Sequence, residues 1–365
     1  MPQIPATMTA LVLNGHGGFD QLELRHDVPV PAPASGEVLI RVAAAGVNNT
    51  DINTRIGWYS KTVEGGTDPD DAAKGSMDAA SDDATWGGTA LRFPHIQGAD
   101  VCGYIADVGA GVAESRIGER VIVEPCWPIV FADGTADVCY LGSECPGGFA
   151  QYVAVPAANA KQINAGLSDV ELASFPCSYS TAMNLVTRSG VAPGETVLVT
   201  GASGGVGSAA VQIAKAVGAR IIAVASSSKA EAISALGADQ VVDRSASLGE
   251  VVAAGSVDVV IDVVGGDGFP NLLDCLKPRG RYATSGAIAG PLVELDLRTL
   301  YLKDLSLIGC TVLDDGVFDR LVELINDGTI RPLVAKTYPL AQIIQAQQDF
   351  LQKTHVGKLV LEIPE

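Results

Sequence analysis

Apolar and polar positions follow two different rhythms along this chain. Through the first 160 residues they alternate in short runs cut by glycine and proline, which is the period of strands. Met8–Asn14 reads as one such strand. After PVPAPASG, the run EVLIRVAAAGV sets Val38, Ile40 and Val42 against Leu39 and Arg41, predicting a strand covered more heavily on one face. PHIQGADVCGYIADVGAGV, GERVIVEP and GFAQYVAVP extend the β character.

From Ala160 the rhythm changes to helices alternating with buried strands. LSDVELASFPCSYSTAMNLVTRSG predicts helix on either side of a Pro-Cys break. VLVT, starting at Val197, predicts a short buried strand, and Val206, Ala209, Ala210, Ile213, Ala214 and Val217 then fall on one helical face. IIAVA, VVD, DVVIDVVGG, RYATSG and LSLIGCT supply further strands, with a helix at KAEAISALGA. This order predicts an α/β, doubly wound parallel sheet. Near Leu313 the chain leaves that sheet, and two helices and the strand GKLVLEI carry it back to the β-rich part. The expected domains are 1–160 with 313–365, and 161–312.

Two stretches stand outside both rhythms. Residues 61–92 are polar and turn-rich, with Gly65, Gly66, Asp68, Asp70, Asp71, Asp82 and Asp83. Such a stretch is expected to bury little and to form an inserted surface loop, either mobile or a lid. CWPIVFADGTADVCYLGSEC reads as a loop holding Cys126, Cys139 and Cys145, separated by twelve and then five residues. Without a C-x-x-C pair and one ligand short of a closed zinc site, it is not expected to bind metal.

Composition narrows the function. A chain of 365 residues, 47% of them hydrophobic, exceeds one compact core and supports two domains. A formal net charge of −18, with no local Lys/Arg cluster, argues against nucleic acid or an anionic membrane as partner. No apolar run is long enough to span a bilayer and MPQIPATMTA lacks a signal-peptide pattern, so the expected location is cytoplasmic and the expected partner a small molecule. Seven scattered cysteines do not suggest a disulfide framework.

The strongest chemical signal is VLVTGASGGVG, Val197 to Gly207. A strand, a glycine turn and a helix form an anion cradle, because small residues let free N–H groups and the helix dipole meet a pyrophosphate. Gly201, Ala202, Ser203, Gly204, Gly205, Val206 and Gly207 are therefore the expected cofactor loop, with Ala202 at the first glycine position of the G-x-G-x-x-G fingerprint.

VLVTGASGGVGSAAVQIAKAVGA, AGVNNTDINTRIGWY, QGADVCGYIADVGAGV and HVGKLVLEI together resemble the medium-chain dehydrogenase/reductase superfamily, and most closely its zinc-independent quinone oxidoreductase and enoyl reductase branch. The resemblance covers nearly the whole chain apart from residues 61–92 and the cysteine loop. It implies a GroES-like catalytic β-domain built from both chain ends, a Rossmann domain between them, and hydride transfer in the intervening cleft. It also implies a homodimer or homotetramer, with the edge strand near LSLIGC as the expected contact. Where the alcohol dehydrogenase branch holds zinc, this chain has Asn48 and Ala99, and only Cys177 matches a ligand position. One thiolate cannot hold a catalytic zinc, so none is expected and Cys177 is read as a packing residue.

An enzyme selecting NAD usually carries an acid about twenty residues past the glycines. Here that place reads ASSSK, with Ser226, Ser227 and Lys229 and no carboxylate to repel a 2′-phosphate. Lys229 matches a position where NADPH-using relatives carry a phosphate-binding lysine, and Arg244 one where they often carry a tyrosine; two cations and the serine hydroxyls suit a 2′-phosphate, so NADPH is the expected cofactor. The resemblance also places Thr181 at the nicotinamide end and Lys358 among the cofactor contacts. Tyr59 matches the tyrosine that enoyl thioester reductases use as polar catalyst, and Asn48 could position substrate or ribose through its amide. Asn53 stands where quinone reductases often carry a second tyrosine. The expected activity is NADPH-dependent hydride transfer to a quinone or an activated C=C bond. The alternatives are an alcohol dehydrogenase-like enzyme with a degenerate zinc site and a non-catalytic NADPH-binding sensor.

Overall fold

The computed structural model describes residues 4–67, 69–75, 79–80, 82–130 and 136–365. Asp68 of the insertion lies outside the described residues. Six parallel strands form one sheet, in the spatial order Gln240–Asp243, Arg220–Ala225, Thr196–Val199, Val257–Asp262, Leu276–Thr284 and Ser306–Gly309. The first strand in sequence sits near the middle and the order reverses beside it, which opens a crevice at the strands' C-terminal ends.

Strand alternation decides which side chains cover which face. Val197 and Val199 enter the core beneath the helices Pro176–Arg188, Gly205–Val217 and Val317–Asn326, whereas Leu198 faces Phe269, Leu272 and Leu273 of Phe269–Cys275. Both faces are covered, so VLVT needs no polar position.

The second large sheet is built around the strand Glu37–Val47. Val38, Ile40 and Val42 share a core with Val121, Val153 and Leu359. The C-terminal strand Lys358–Glu362 runs antiparallel to Glu37–Val47 and parallel to Val334–Pro339, so the end of the chain completes the sheet begun near its start. At the expected junctions, Ala160–Gln162 pairs with Arg120–Val123 of this sheet, and Val317–Asn326 packs Phe318, Leu321 and Ile325 into the core of the parallel sheet.

Two expectations change. In the cysteine stretch Cys126–Val130 pairs antiparallel with Ala136–Tyr140, and the β-branched and aromatic residues of these two runs suit strands. Residues 61–92 bury more than their composition suggests: Val63, Ala72, Ala84, Thr85 and Leu91 are all buried, and Pro69–Lys74 is a short helix. Among the described residues, no helix is long and apolar enough to cross a membrane.

Candidate active site

A cleft of about 1230 Å³ runs along the C-terminal ends of the parallel strands and continues to the β-rich part. Its centre is the turn after Thr196–Val199. Gly201 takes a left-handed φ of 57° there, and a side chain on Gly207 would place its Cβ 2.3 Å from the Gly201 carbonyl oxygen. At Gly205 an added Cβ would lie 2.5 Å from Ser178 Oγ, whereas at Gly204 it meets nothing closer than 3.5 Å. The turn is thus packed tightly behind and open in front, the shape of a backbone cradle for a phosphate at the head of Gly205–Val217. Ala202 is fully buried in the core, so a methyl group replaces glycine without blocking the cradle.

Below the cradle lies a buried polar cluster. Lys358 Nζ donates to Asp100 Oδ2 at 2.7 Å and to Asn48 Oδ1 at 2.5 Å, and the lysine is 2% exposed. Asn48 Nδ2 also donates to Asp100 Oδ2, at 2.7 Å, while Asp100 Oδ1 accepts the Cys177 N–H at 2.5 Å. The Asn48 amide, expected to face a ligand, is therefore occupied at both ends by protein. The Lys358 ammonium is likewise held beneath the cradle, its stem 3.0 Å from where a Cβ on Gly205 would lie. Burial pushes the Cys177 thiol well above its ordinary range, keeping it a protonated packing group. Asp51, whose carboxylate accepts the Asn48 N–H at 2.7 Å, is pushed up to about 7, chiefly by burial.

The helix Asn49–Ile56 and the turn after it carry the remaining chemistry. Gly57 ends the helix in a left-handed conformation, which turns Trp58 and Tyr59 toward the cleft. The Tyr59 hydroxyl donates to Thr50 Oγ1 at 3.0 Å, and burial pushes its phenol far up, so it stays protonated at neutral pH. Asn53 and Thr181 line the same end, and Thr181 Oγ1 donates to the Cys177 carbonyl at 2.7 Å.

At the opposite end Ser226, Lys229 and Arg244 line the cleft. Ser227 is not among the lining residues, and its N–H donates to Asp243 Oδ2 at 2.7 Å. That contact corrects the expectation that no carboxylate stands here. Asp243, at the end of the neighbouring strand, lines the cleft, and hydrogen bonds from Ser245 and Ser227 hold its carboxyl far below the usual range. Sequence distance hid it, because the parallel pairing of Ala225 with Asp243 brings it in from another strand. Lys229 Nζ donates to the carbonyls of Lys353 and His355 at 2.6 and 2.8 Å, and to Ser203 Oγ at 3.4 Å. It thereby ties the segment before the last strand to the cradle.

That segment supplies two residues absent from the sequence expectations, Lys353 and His355, both lining the cleft. Lys353 sits over the Phe350 ring at 4.3 Å, and burial and Lys229 lower its ammonium to about 8. Its left-handed φ of 52°, unusual for a non-glycine residue, has no sequence signal. Lys61, Val63 and Trp86 of the insertion, which were not singled out in the sequence, form part of the cleft wall.

Comparison with known proteins agrees with this architecture. Residues 34–165 match the alcohol dehydrogenase GroES-like domain, and residues 205–327 match the zinc-binding dehydrogenase family. The chain is 31% identical to an acryloyl-coenzyme A reductase of Metallosphaera sedula, over 97% of this chain and 99% of that protein. It is 28% identical to a quinone oxidoreductase of Lama guanicoe, over 97% of each. A crystal structure of a Sinorhizobium meliloti protein described as an alcohol dehydrogenase shares 46% identity, covers 99% of this chain and 98% of its own, and superposes with a TM-score of 0.85. Members of this group are oxidoreductases that use a nicotinamide cofactor. With both sheets, the cradle and the end-to-end matches in agreement, the chain belongs to the medium-chain dehydrogenase/reductase superfamily.

Proposed function

We propose that this protein is an NADPH-dependent reductase that adds hydride to a quinone or an activated C=C bond without a catalytic metal. The observation that carries this reading is Lys358. The zinc-binding branch would need ligands at Asn48, Ala99 and Cys177, and here an ammonium occupies Asn48 Oδ1 and Asp100 Oδ2 beside a protonated thiol. An amide oxygen already bonded to a cation, a methyl group and a neutral thiol do not fit Zn²⁺, which takes three protein ligands at a catalytic site.

The residues of the cleft fit NADPH. The open face at Gly204 and the N–H groups heading Gly205–Val217 would hold the pyrophosphate. Arg244 and Lys353 would meet the 2′-phosphate, and Lys229, whose N–H groups are donated to Ser203, Lys353 and His355, would add its charge, together outweighing that of Asp243. When bound, the cofactor supplies a hydride, so that enone, NADPH and a proton become saturated ketone and NADP⁺. Tyr59, kept protonated by burial, would turn its one hydroxyl hydrogen bond from Thr50 Oγ1 to the carbonyl oxygen where negative charge develops. Asn48 acts as a positioning residue for Lys358.

The test is NADPH oxidation in the presence of 2-cyclohexenone, 1,4-naphthoquinone and an enoyl thioester. Tyr59→Phe is expected to lower kcat about 100-fold while NADPH binding is retained. Equal turnover would remove Tyr59 from the mechanism, and binding without turnover of any substrate would favour a sensor. Stoichiometric zinc in protein purified without chelator would overturn the metal-free reading.

The same reading includes a homodimer or homotetramer. The edge strand Ser306–Gly309 carries an exposed Leu307, and the nearby Leu297, Tyr301 and Leu302 are each more than 60% exposed. Leu302→Asp is expected to shift the sedimentation coefficient toward that of a single chain.

A further inference from the structure

Thr50 is not the only polar side chain that reaches Tyr59. Asn53, on the helix Asn49–Ile56 and only 4% exposed, lines the same end of the cleft. Burial pushes the Tyr59 phenol far up, and hydrogen bonding from the side chains of Thr50 and Asn53 works against that rise, so the Asn53 amide lies within reach of the phenol oxygen. The phenol has a single proton, which it donates to Thr50 Oγ1 at 3.0 Å, and its oxygen can still accept. Which end of the Asn53 amide meets that oxygen is decided from outside the helix. Thr67 Oγ1 donates to Asn53 Oδ1 at 2.8 Å. With its oxygen engaged by a donor, Asn53 presents Nδ2, which can only donate, to Tyr59.

Thr67 belongs to the insertion 61–92, which here forms a strap to the parallel-sheet domain. The Thr67 N–H donates to the Ile288 carbonyl at 3.1 Å. An added Cβ on Gly66 would lie 2.5 Å from that same oxygen and 3.0 Å from the Ala289 carbonyl carbon, so the close approach depends on glycine. Trp58 Nε1 donates to the Gly65 carbonyl at 2.9 Å and holds the strap from the other domain. Ile288 lines the cleft and Thr67 does not. The threonine hydroxyl therefore acts from behind the wall, and its position is fixed by both domains.

We propose that Thr67 and Asn53 are positioning residues for Tyr59: the threonine hydroxyl fixes the Asn53 amide so that its N–H supports the phenol oxygen while the phenol O–H is given to the substrate. This deepens the reductase reading above and rests on it. As hydride arrives and negative charge builds on the substrate oxygen, the phenol O–H is drawn toward it and the phenol oxygen gains charge, which the Asn53 N–H meets. Without the Thr67 hydroxyl the amide is free to turn over. Asn53 Oδ1 would then face the phenol and compete with the substrate for its one proton.

The experiment measures kcat with NADPH and the three substrates above. Thr67→Val removes the hydroxyl and keeps the N–H bond to Ile288; it is expected to lower kcat about 5-fold while the Kd for NADPH stays within about twofold of the parent. Thr67→Ser restores the hydroxyl and is expected to bring kcat back to within about twofold of the parent. Asn53→Leu is expected to lower kcat about 10-fold or more. In a Tyr59→Phe background both Thr67→Val and Asn53→Leu are expected to lose most of their effect, because they act through the phenol, whereas a merely structural role would cost the same in either background. Parental kcat in Thr67→Val, a serine that fails to restore it, or equal losses in the two backgrounds would each overturn the proposal and leave the reductase reading standing. No turnover of any of the three substrates by the parent would overturn both.

Discussion

The two ends of the cleft are built on opposite plans. At one end Lys229, Arg244 and Lys353 converge on a backbone cradle, supported by a parallel sheet whose registers place each residue. At the other, the turn-rich insertion 61–92 contributes Lys61, Val63 and Trp86 to the wall beside Tyr59, Trp58 and Asn53. The cation-rich end suits a ligand whose phosphates are the same in every enzyme that uses it. In the proposed reading, the other end faces the molecule to be reduced. Fixed chemistry is held by regular structure and variable chemistry by an insertion, which is how a shared fold accommodates different substrates.

Between the two ends lies the Lys358–Asp100–Asn48 cluster, and disturbing it is expected to have the largest effect. Lys358→Met leaves the Asp100 carboxylate buried without its cation, and the expected loss is about 3–5 kcal/mol of unfolding free energy, measured by urea denaturation. A loss below about 1 kcal/mol would mean that the pair is not the joint between the two ends.

Asp51 tests the same floor through pH. Two carboxylates, Asp51 and Asp100, share the charge of one ammonium, and burial raises Asp51 from an ordinary 3.8 to about 7. The folded state therefore holds a proton that the unfolded chain has released, so stability falls as pH rises from about 4 to 7 and the full cost persists above that. Asp51→Asn keeps an acceptor for the Asn48 N–H and removes the ionisation. It is expected to be more stable than the parent at pH 8, by up to about 4 kcal/mol, with the difference closing toward pH 4. An advantage independent of pH would rule out Asp51 as its source.

Lys353 distinguishes the two ends directly. Lys353→Ala is expected to weaken NADPH binding about 10- to 100-fold and to change NADH binding little, as read by protein fluorescence. The parent's affinity for NADPH should also decline above pH 8, as the ammonium deprotonates, and the variant should lose that dependence. Equal losses for both cofactors would assign Lys353 to the pyrophosphate rather than the 2′-phosphate.

Sequence patterning reached the first end more fully than the second, and the reason is physical. Strand period and the glycine turn are local, so the six-stranded sheet and the cradle could be expected from contiguous residues, whereas Tyr59, at the second end, is singled out only through the family resemblance. Asp243 and Lys353 enter through strand pairing and through a left-handed backbone position, which no local pattern announces. The resemblance offers Lys358 as a cofactor contact, but its burial depends on Asp100, 258 positions away. The strap is the extreme case. Its buried Val63, Ala84 and Leu91 are too sparse to show a period, and its wall is completed by Ile288 and Leu292 from the other domain.

The smallest expected effect bears on the one residue that breaks the contrast, the carboxylate at the cation-rich end. Asp243 is fixed by the N–H groups of Ser227 and Ser245 and by the Ser245 hydroxyl, so it cannot swing away from an arriving phosphate. Near the surface, a single charge several ångströms from another is worth about 0.5–1 kcal/mol before salt screens it. Asp243→Asn is therefore expected to shift the ratio of NADPH to NADH affinity toward NADPH by about threefold at low salt, and by less at 0.5 M salt. A shift toward NADH would mean that Asp243 orders the serine loop that receives the phosphate, with its charge secondary. No shift in either direction would leave Lys229, Arg244 and Lys353 to set cofactor choice alone.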